Sequence, residues 1–186
     1  LYLAQDVTGG GSTQVTGDVT IMNVGNSIGQ DIHIESTGSL TANAASIGGN
    51  VVNKAGDGLE LTGGDLVHNV TGVGSTVIDG TVTMTDVSKS IAQNITIQSG
   101  SLTASADSVG GDVSNAIANG LVLNGGDLVH NVTGLGTTKV VGTVTMTDNT
   151  KVINQNITVQ SGSLTASADS IKGNVNNTGA NSLVLT

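Results

Sequence analysis

The sequence repeats itself at a fixed interval, and this repeat constrains the fold more than any other feature. The decapeptide GGDLVHNVTG occurs at Gly63–Gly72 and again at Gly125–Gly134, which sets a 62-residue period. The run QSGSLTASADS at Gln98–Ser108 recurs letter for letter at Gln160–Ser170. The first third of the chain is a weaker copy, with GSLTANAAS at Gly38–Ser46. Repeats of this kind are typical of an elongated molecule whose units stack on one another.

A shorter pattern lies inside each repeat: an apolar residue, any residue, then Gln, Gly or His, then Asn or Asp, then an apolar residue. It occurs nine times, with the Asn or Asp at Asp6, Asp31, Asn50, Asn69, Asn94, Asp112, Asn131, Asn156 and Asn174. Between these motifs, segments such as Thr81–Thr85 alternate apolar and polar residues, which is the period of a strand with one buried face. The nine copies predict about nine rungs, three to each 62-residue repeat.

A unit of about 20 residues cannot bury its own apolar face, so successive units must cover one another. We therefore predict an all-β fold, a right-handed parallel β-helix (β-solenoid), with strands paired about 4.8 Å apart. One domain spans residues 1–186, with repeats at about 1–61, 62–123 and 124–186. The alternative is an antiparallel sandwich or barrel, which needs recurring hairpin turns. The Asn-Gly pairs at Asn119 and Asn124 do not recur at the other rungs.

One step in three carries a glycine-rich insert of nine residues. The inserts are GGGSTQVTG at Gly9–Gly17, GVGSTVIDG at Gly72–Gly80 and GLGTTKVVG at Gly134–Gly142. Because each occupies the same point of its repeat, we expect them to bulge outward along one side of the rod.

The two ends of the sequence are in phase with each other. Leu183–Thr186 matches Leu121–Leu123 and Leu1–Leu3. Exposed strand edges at the ends of a solenoid are sites for further pairing. We therefore expect the chain to be part of a longer array, or a subunit that stacks head to tail with copies of itself or bundles with them laterally.

Charge and composition exclude several classes of function. The net charge is −9, from 14 acidic residues against 5 lysines and no arginine, which does not suit a nucleic-acid-binding surface. Cysteine is absent, so no disulfide or thiolate metal site can form. No stretch reaches the roughly 18 apolar residues of a membrane span, so we expect no membrane insertion. Tyr2 is the one aromatic residue, which leaves no stacking platform for sugars.

The Asn or Asp of the nine motifs is predicted to form a structural corner ladder, because both residue types suit bent backbone and bond to neighbouring amides. Four of these positions, Asn69, Asn94, Asn131 and Asn156, also begin glycosylation sequons. Aspartate takes the same place in other copies, and this interchange favours turn geometry over glycosylation.

Metal and catalytic sites have little support in the sequence. His68 and His130 occupy the same place in successive repeats and are therefore too far apart to share one ion, while His33 lies elsewhere. Calcium at the GGD segments remains an alternative, although the nine-residue calcium repeat is missing. The acidic residues follow the repeat and do not gather at one place. We expect no cofactor and no enzymatic activity.

Threonines at Thr81, Thr83 and Thr85, repeated at the same positions of the next repeat, suggest an outward hydroxyl face of the kind found on ice-binding solenoids. Ser101–Ala104 and then Leu121–Leu123 interrupt the series, so the β-propensity of threonine explains it equally well.

The runs at Gly100–Asp127 and Gly38–Asn50 resemble the repeats of filamentous-haemagglutinin-type bacterial surface proteins, which are exported by two-partner secretion or as autotransporters. The shared pattern is G-x-L-x-A, then G-G-x-V-x-N, then G-x-L. This resemblance implies a long extracellular β-helix on a bacterial cell, used in adhesion, in biofilm or as a stalk that touches a host or matrix surface. The strict 62-residue period departs from that family. The function expected is a structural fibre or adhesin stalk; the alternatives are a carbohydrate-binding or carbohydrate-active β-helix and an ice-binding solenoid.

Overall fold

The computed structural model describes residues 1–179 and 182–186 as a parallel β-solenoid of about ten turns, with successive turns about 19 residues apart. All strand pairs in the described residues are parallel, and none of these residues is in an α-helix. The predicted all-β parallel solenoid is therefore confirmed. Its right-handed sense remains a prediction.

Strands of 2 to 11 residues make up each repeat. The first third contains β1 Tyr2–Leu3, β2 Ser12–Val15, β3 Asp18–Ile21, β4 Asp31–Ile34, β5 Ser39–Ala42, β6 Val51–Asn53 and β7 Leu59–Leu61. The second contains β8 Gly64–Asp65, β9 Val70–Thr71, β10 Ser75–Thr83, β11 Asn94–Ala104, β12 Val113–Asn115 and β13 Leu121–Leu123. The third contains β14 Gly126–Asp127, β15 Val132–Thr133, β16 Thr137–Val140, β17 Thr143–Thr145, β18 Asn156–Val159, β19 Ser163–Ala166, β20 Val175–Asn177 and β21 Leu183–Leu185. A 3-10 turn occurs once per repeat, at Ala44–Ser46, Ala106–Ser108 and Ala168–Ser170.

Each turn of the solenoid has three faces, and the register of strand pairing defines them. The first face stacks Val19, Leu40, Leu59, Thr76, Ile95, Val113 and Val132. The second stacks Val82, Leu102, Leu121, Thr138, Ile157 and Val175. The third begins with Thr13, Ile32, Val51, Val70, Ile91 and Val109, and ends with Val144, Leu164 and Leu183.

Equivalent residues of successive repeats lie on different faces. Leu40 is on the first face, Leu102 on the second and Leu164 on the third, although all three hold the same position in their repeats. One repeat therefore winds three turns plus one further face, and each repeat is rotated by one face relative to its predecessor. Three repeats add one whole turn in this way, which is why nine motif copies correspond to about ten turns.

The expectation that the inserts bulge along one side is wrong. Their strands β2, β10 and β16 pair with neighbouring turns and occupy the third, first and second faces in turn. The physical reason is their alternating pattern, which points Thr76 and Ile78 fully into the interior. Only a short tip protrudes, where Val73 is 90% exposed. The insert is thus an additional face of the solenoid.

The interior is filled by stacked aliphatic side chains. Val, Ile, Leu, Ala and Met form one core that runs through all three repeats. Burying a side chain such as Ile or Leu stabilises the fold by about 1.5–3 kcal/mol, and the same contribution recurs at every turn. The single aromatic, Tyr2, is 70% exposed and takes no part in the core.

Candidate functional site

The Asn and Asp side chains of the nine motifs lie at corners, where they bond to the next turn of the backbone. The Oδ1 of Asp31 accepts the backbone N–H of Asn50 at 2.8 Å, and the Oδ1 of Asn50 accepts that of Asn69 at 3.1 Å. Asn69 then accepts the N–H of Ser90 at 3.1 Å. Each such bond satisfies a backbone donor that the bent corner removes from the strand ladder.

The structure brings these residues together in three groups, one on each edge of the solenoid. The second group is Asn94, Asp112 and Asn131, with bonds of 3.1 Å and 2.8 Å between successive members and 3.1 Å from the Val152 N–H to Asn131. The third group contains Asn156 and Asn174, joined at 3.0 Å. Asp6 accepts from the N–H of Ser27 at 2.8 Å, as Asn69 does from that of Ser90. The ladder changes edge because the repeat advances by one extra face.

A buried polar cluster lies in the turn that follows the second insert, and the sequence pattern did not predict it. Gln93 is 4% exposed, and its Nε2 donates to the carbonyl oxygens of Asn53 at 2.8 Å and Thr71 at 2.9 Å. Its Oε1 accepts from Asn53 Nδ2 at 3.2 Å and Thr76 Oγ1 at 3.1 Å. Every hydrogen-bonding position of this buried amide is therefore occupied, as burial requires.

The same cluster recurs one repeat later with nearly identical distances. Gln155 bonds to the Asn115 carbonyl at 2.7 Å, to Asn115 Nδ2 at 3.2 Å and to Thr138 Oγ1 at 3.1 Å. One sequence signal could have predicted this cluster. Gln precedes the motif Asn or Asp at Gln30, Gln93 and Gln155, and each of these motifs is the first after an insert. The clusters link three successive turns, and their role is to fix register.

A shallow groove of about 420 Å³ follows the first face across several turns. Its floor carries the outward side chains of Thr96, Ser114 and Thr133, and the corner residues Asn94, Asp112 and Asn131 form one edge. Such a surface offers hydroxyl, amide and carboxylate groups to a polar ligand. It contains no aromatic side chain on which a sugar ring could stack.

Two equivalent aspartates are held by threonines of the next turn. The carboxylate of Asp65 accepts from Thr83 Oγ1 at 2.9 Å, from the Thr85 N–H at 3.0 Å and from Thr85 Oγ1. Asp127 makes the same contacts with Thr145 and Thr147. Partial burial acts to raise the pKa of Asp65, but the hydrogen bonds from Thr85 and Thr83 outweigh it and hold the pKa below its ordinary value. These carboxylates are therefore charged anchors for the strands around them.

The histidines lie apart in the structure. His130 approaches the Asp112 carboxylate at 3.9 Å, His68 sits at the equivalent corner one repeat earlier, and His33 faces outward on the third face. Among residues 1–179 and 182–186, no three His, Asp or Glu side chains gather closely enough to hold a metal ion.

Threonines do not form an unbroken grid on any of the faces compared. On the first face the outward positions run Thr20, Thr41, Glu60, Val77 and Thr96. The second face has Thr83 and Thr103 followed by Val122 and Lys139. Because each repeat is rotated by one face, the same two positions of the repeat interrupt the threonines on both faces: Glu60 and Val77 on the first, Val122 and Lys139 on the second.

Comparisons with protein-family profiles, curated proteins and solved structures give no match to this chain. The described residues contain no helix long and apolar enough to cross a membrane.

Proposed function

We propose that this chain is a structural element of an extracellular fibre or adhesin stalk on a bacterial surface, with no enzymatic activity. The observation that carries this proposal is the rotation of the repeats. Because Leu40, Leu102 and Leu164 occupy three different faces, each face receives the same series of side chains, displaced along the axis. A catalytic site would need one place where this series is broken by a special cluster of residues.

The second support is mechanical. Strands pair in parallel from one end of the described solenoid to the other, and corner side chains and buried amides cross-link successive turns. Separating two turns requires breaking all of these bonds together. A repetitive rod of this kind suits a spacer that holds a binding tip at a distance from a cell.

The acidic, hydroxyl-rich surface supports an extracellular location, as does the resemblance of the rung pattern to bacterial surface repeats. A net charge of −9 keeps copies soluble at high local concentration. Antibody labelling of intact cells of the source organism tests this location. Labelling that appears only after the cells are permeabilised would contradict it.

Rod behaviour can be measured by placing one, two or three repeats between a surface anchor and a fluorescent domain. Three and a third turns at about 4.8 Å predict that each repeat raises the label by about 16 Å. The height should rise in direct proportion to the number of repeats. A height that rises with the square root of repeat number would indicate a flexible chain and overturn the stalk proposal.

A second candidate, carbohydrate binding, is favoured by the polar groove over Thr96, Ser114 and Thr133. Hydroxyl and amide groups at rung spacing can bond to the hydroxyls of an extended glycan. Binding to a glycan array that is lost in a Ser114→Leu variant, and retained in Ser99→Leu, would support it. Equal binding by both variants would exclude this groove.

A further inference from the structure

The polar cluster at the first insert resembles the other two but contains fewer of its partners. Gln30 accepts from Thr13 Oγ1 at 2.9 Å and donates to the Thr8 carbonyl at 3.3 Å, as Gln93 does with Thr76 and Thr71. The complete clusters also contain an asparagine 40 residues before the glutamine, and no asparagine among the described residues takes that place beside Gln30. The polar groups next to Gln30 are therefore complementary to an asparagine-bearing turn.

A matching asparagine lies at the opposite end of the rod. Asn53, Asn115 and Asn177 hold the same position in successive repeats and close the strands β6, β12 and β20. Each folds its side chain in the same way, since Oδ1 accepts the N–H two residues later at 3.0, 2.9 and 3.2 Å respectively. Asn53 and Asn115 are fully buried, whereas Asn177 is exposed. Asn177 is thus already in the conformation that the cluster uses.

The apolar side chains nearest to these two residues are also incompletely covered. Val51 and Val70 pair within the rod and are 0% exposed, but their counterparts Val175 and Val7 are only partly buried. Placing Val7 of one copy beside Val175 of another would repeat the pairing of Val51 with Val70. Three repeats make about ten turns, so this placement continues all three faces without a change of register.

From these observations we propose that the turn containing Asn177 in one copy of this chain binds the turn containing Gln30 in a second copy, head to tail. In the joined state Asn177 Nδ2 donates to Gln30 Oε1 and to the Ser12 carbonyl, and Gln30 Nε2 donates to the Asn177 carbonyl. The interface is a copy of contacts that already exist twice inside the rod. This inference rests on the proposed structural function and names its partner and contacts. In a longer polypeptide an adjoining repeat would fill the same place, so the test uses the 186-residue chain alone.

Two neighbouring glycines provide a matched test. Gly74 and Gly136 pack so closely on the preceding turn that an added Cβ would collide with the carbonyl oxygens of Ala55 and Ile117. At the equivalent Gly11, the nearest atom to an added Cβ is Gln30 Nε2 at 3.6 Å, an ordinary contact. A side chain at Gly11 therefore fits the single chain and blocks the proposed joint.

Gly10 is the control, because its counterparts Val73 and Leu135 are 90% and 98% exposed, and an added Cβ meets no atom within 4 Å. We expect the unmodified chain to form rods in sedimentation velocity and electron microscopy, with lengths in steps of about 48 Å, from ten turns at about 4.8 Å. Gly10→Val should assemble equally, and Gly11→Val should remain a single rod with an unchanged circular dichroism spectrum.

Asn177→Ala tests the polar contact itself, because it adds no bulk at the joint. It should raise the protein concentration required for assembly at least tenfold. Three results would overturn the inference: an unmodified chain that stays monomeric at all concentrations, equal assembly by the Gly10 and Gly11 variants, or assembly unaffected by Asn177→Ala. A monomer that still behaves as a rigid rod in the label-height measurement would leave the proposed stalk function intact.

Discussion

The side chain of Gln93 donates to the backbone carbonyl of Asn53 at 2.8 Å and accepts from its Nδ2 at 3.2 Å, although the two residues are 40 positions apart. The bond spans two turns of the solenoid and lies in a mainly aliphatic interior. A buried amide costs free energy when it lacks partners, so this pair stabilises only the register in which both residues meet. After the second and third inserts, such a pair defines how the next turns align.

Replacing Asn53 with alanine should lower the free energy of unfolding by roughly 2–3 kcal/mol, because it removes the bonds from Asn53 Nδ2 to Gln93 Oε1 and to the Ser75 carbonyl and leaves the Ala55 N–H without its acceptor. Urea unfolding followed by circular dichroism measures this. Gln30→Ala is the matched control, since Gln30 is only half-buried and has no asparagine partner among the described residues. Equal losses for the two variants would show that the buried pair is not special.

A second prediction concerns glycines where adjacent turns touch. An added Cβ at Gly111 would collide with the carbonyl of Gln93, and the neighbouring backbone is itself paired. We expect Gly111→Ala to lower the free energy of unfolding by at least about 2 kcal/mol, as overpacking does. Gly56→Ala meets no atom within 4 Å, and it should be neutral or stabilise by up to about 1 kcal/mol through the unfolded chain. A tolerated Gly111→Ala would contradict this spacing of the turns.

The corner ladders keep aspartate carboxylates apart from one another. Asp31 and Asp112 bond to asparagines in the next turn, so no two carboxylates adjoin in these groups. Asn131→Asp would place a second carboxylate one turn from Asp112, about 4.8 Å away. We expect a lower melting temperature at neutral pH and partial recovery in high salt, because salt screens exposed charges.

The control for that experiment is Asn174→Asp, whose ladder neighbour Asn156 is uncharged. This variant should change stability by no more than about 0.5 kcal/mol. If the two variants melt alike and respond equally to salt, the alternation of Asn with Asp has no electrostatic role.

The free energy of unfolding should fall in acid, because the pKa of Asp127 is lowered in the folded protein. Partial burial acts to raise the pKa of Asp127, yet hydrogen bonds from Thr147 and Thr145 outweigh it and keep the folded-state pKa below its ordinary value. An aspartate of lowered pKa stabilises the fold above its unfolded pKa of about 3.9, and this contribution is lost as pH falls through the folded value.

The unfolding free energy should therefore be steady down to about pH 4 and decline below it. Replacing both Asp65 and Asp127 with asparagine should flatten this decline, since the two carboxylates make the same bonds. Thermal unfolding at several pH values measures the slope. An unchanged slope in the double variant would assign the acid sensitivity to other groups.

The repeat alone determined the class of fold. Identical segments in successive repeats, with apolar residues at strand spacing and glycine or asparagine at the corners, leave stacking as the way to bury each unit's apolar face. The corner positions of the Asn and Asp residues could also be anticipated, because their backbone preferences are local.

The tertiary structure alone decided how the repeats are arranged around the axis. The inserts resemble surface bulges because they are rich in glycine, yet Thr76 and Thr138 carry their hydroxyls into the interior and bond to Gln93 and Gln155. Whether a threonine faces inward depends on a hydrogen-bonding partner in another turn. The linear sequence does not show which residue that partner is. The insert is therefore a face of the solenoid, each repeat is rotated by one face, and the rod has three equivalent sides.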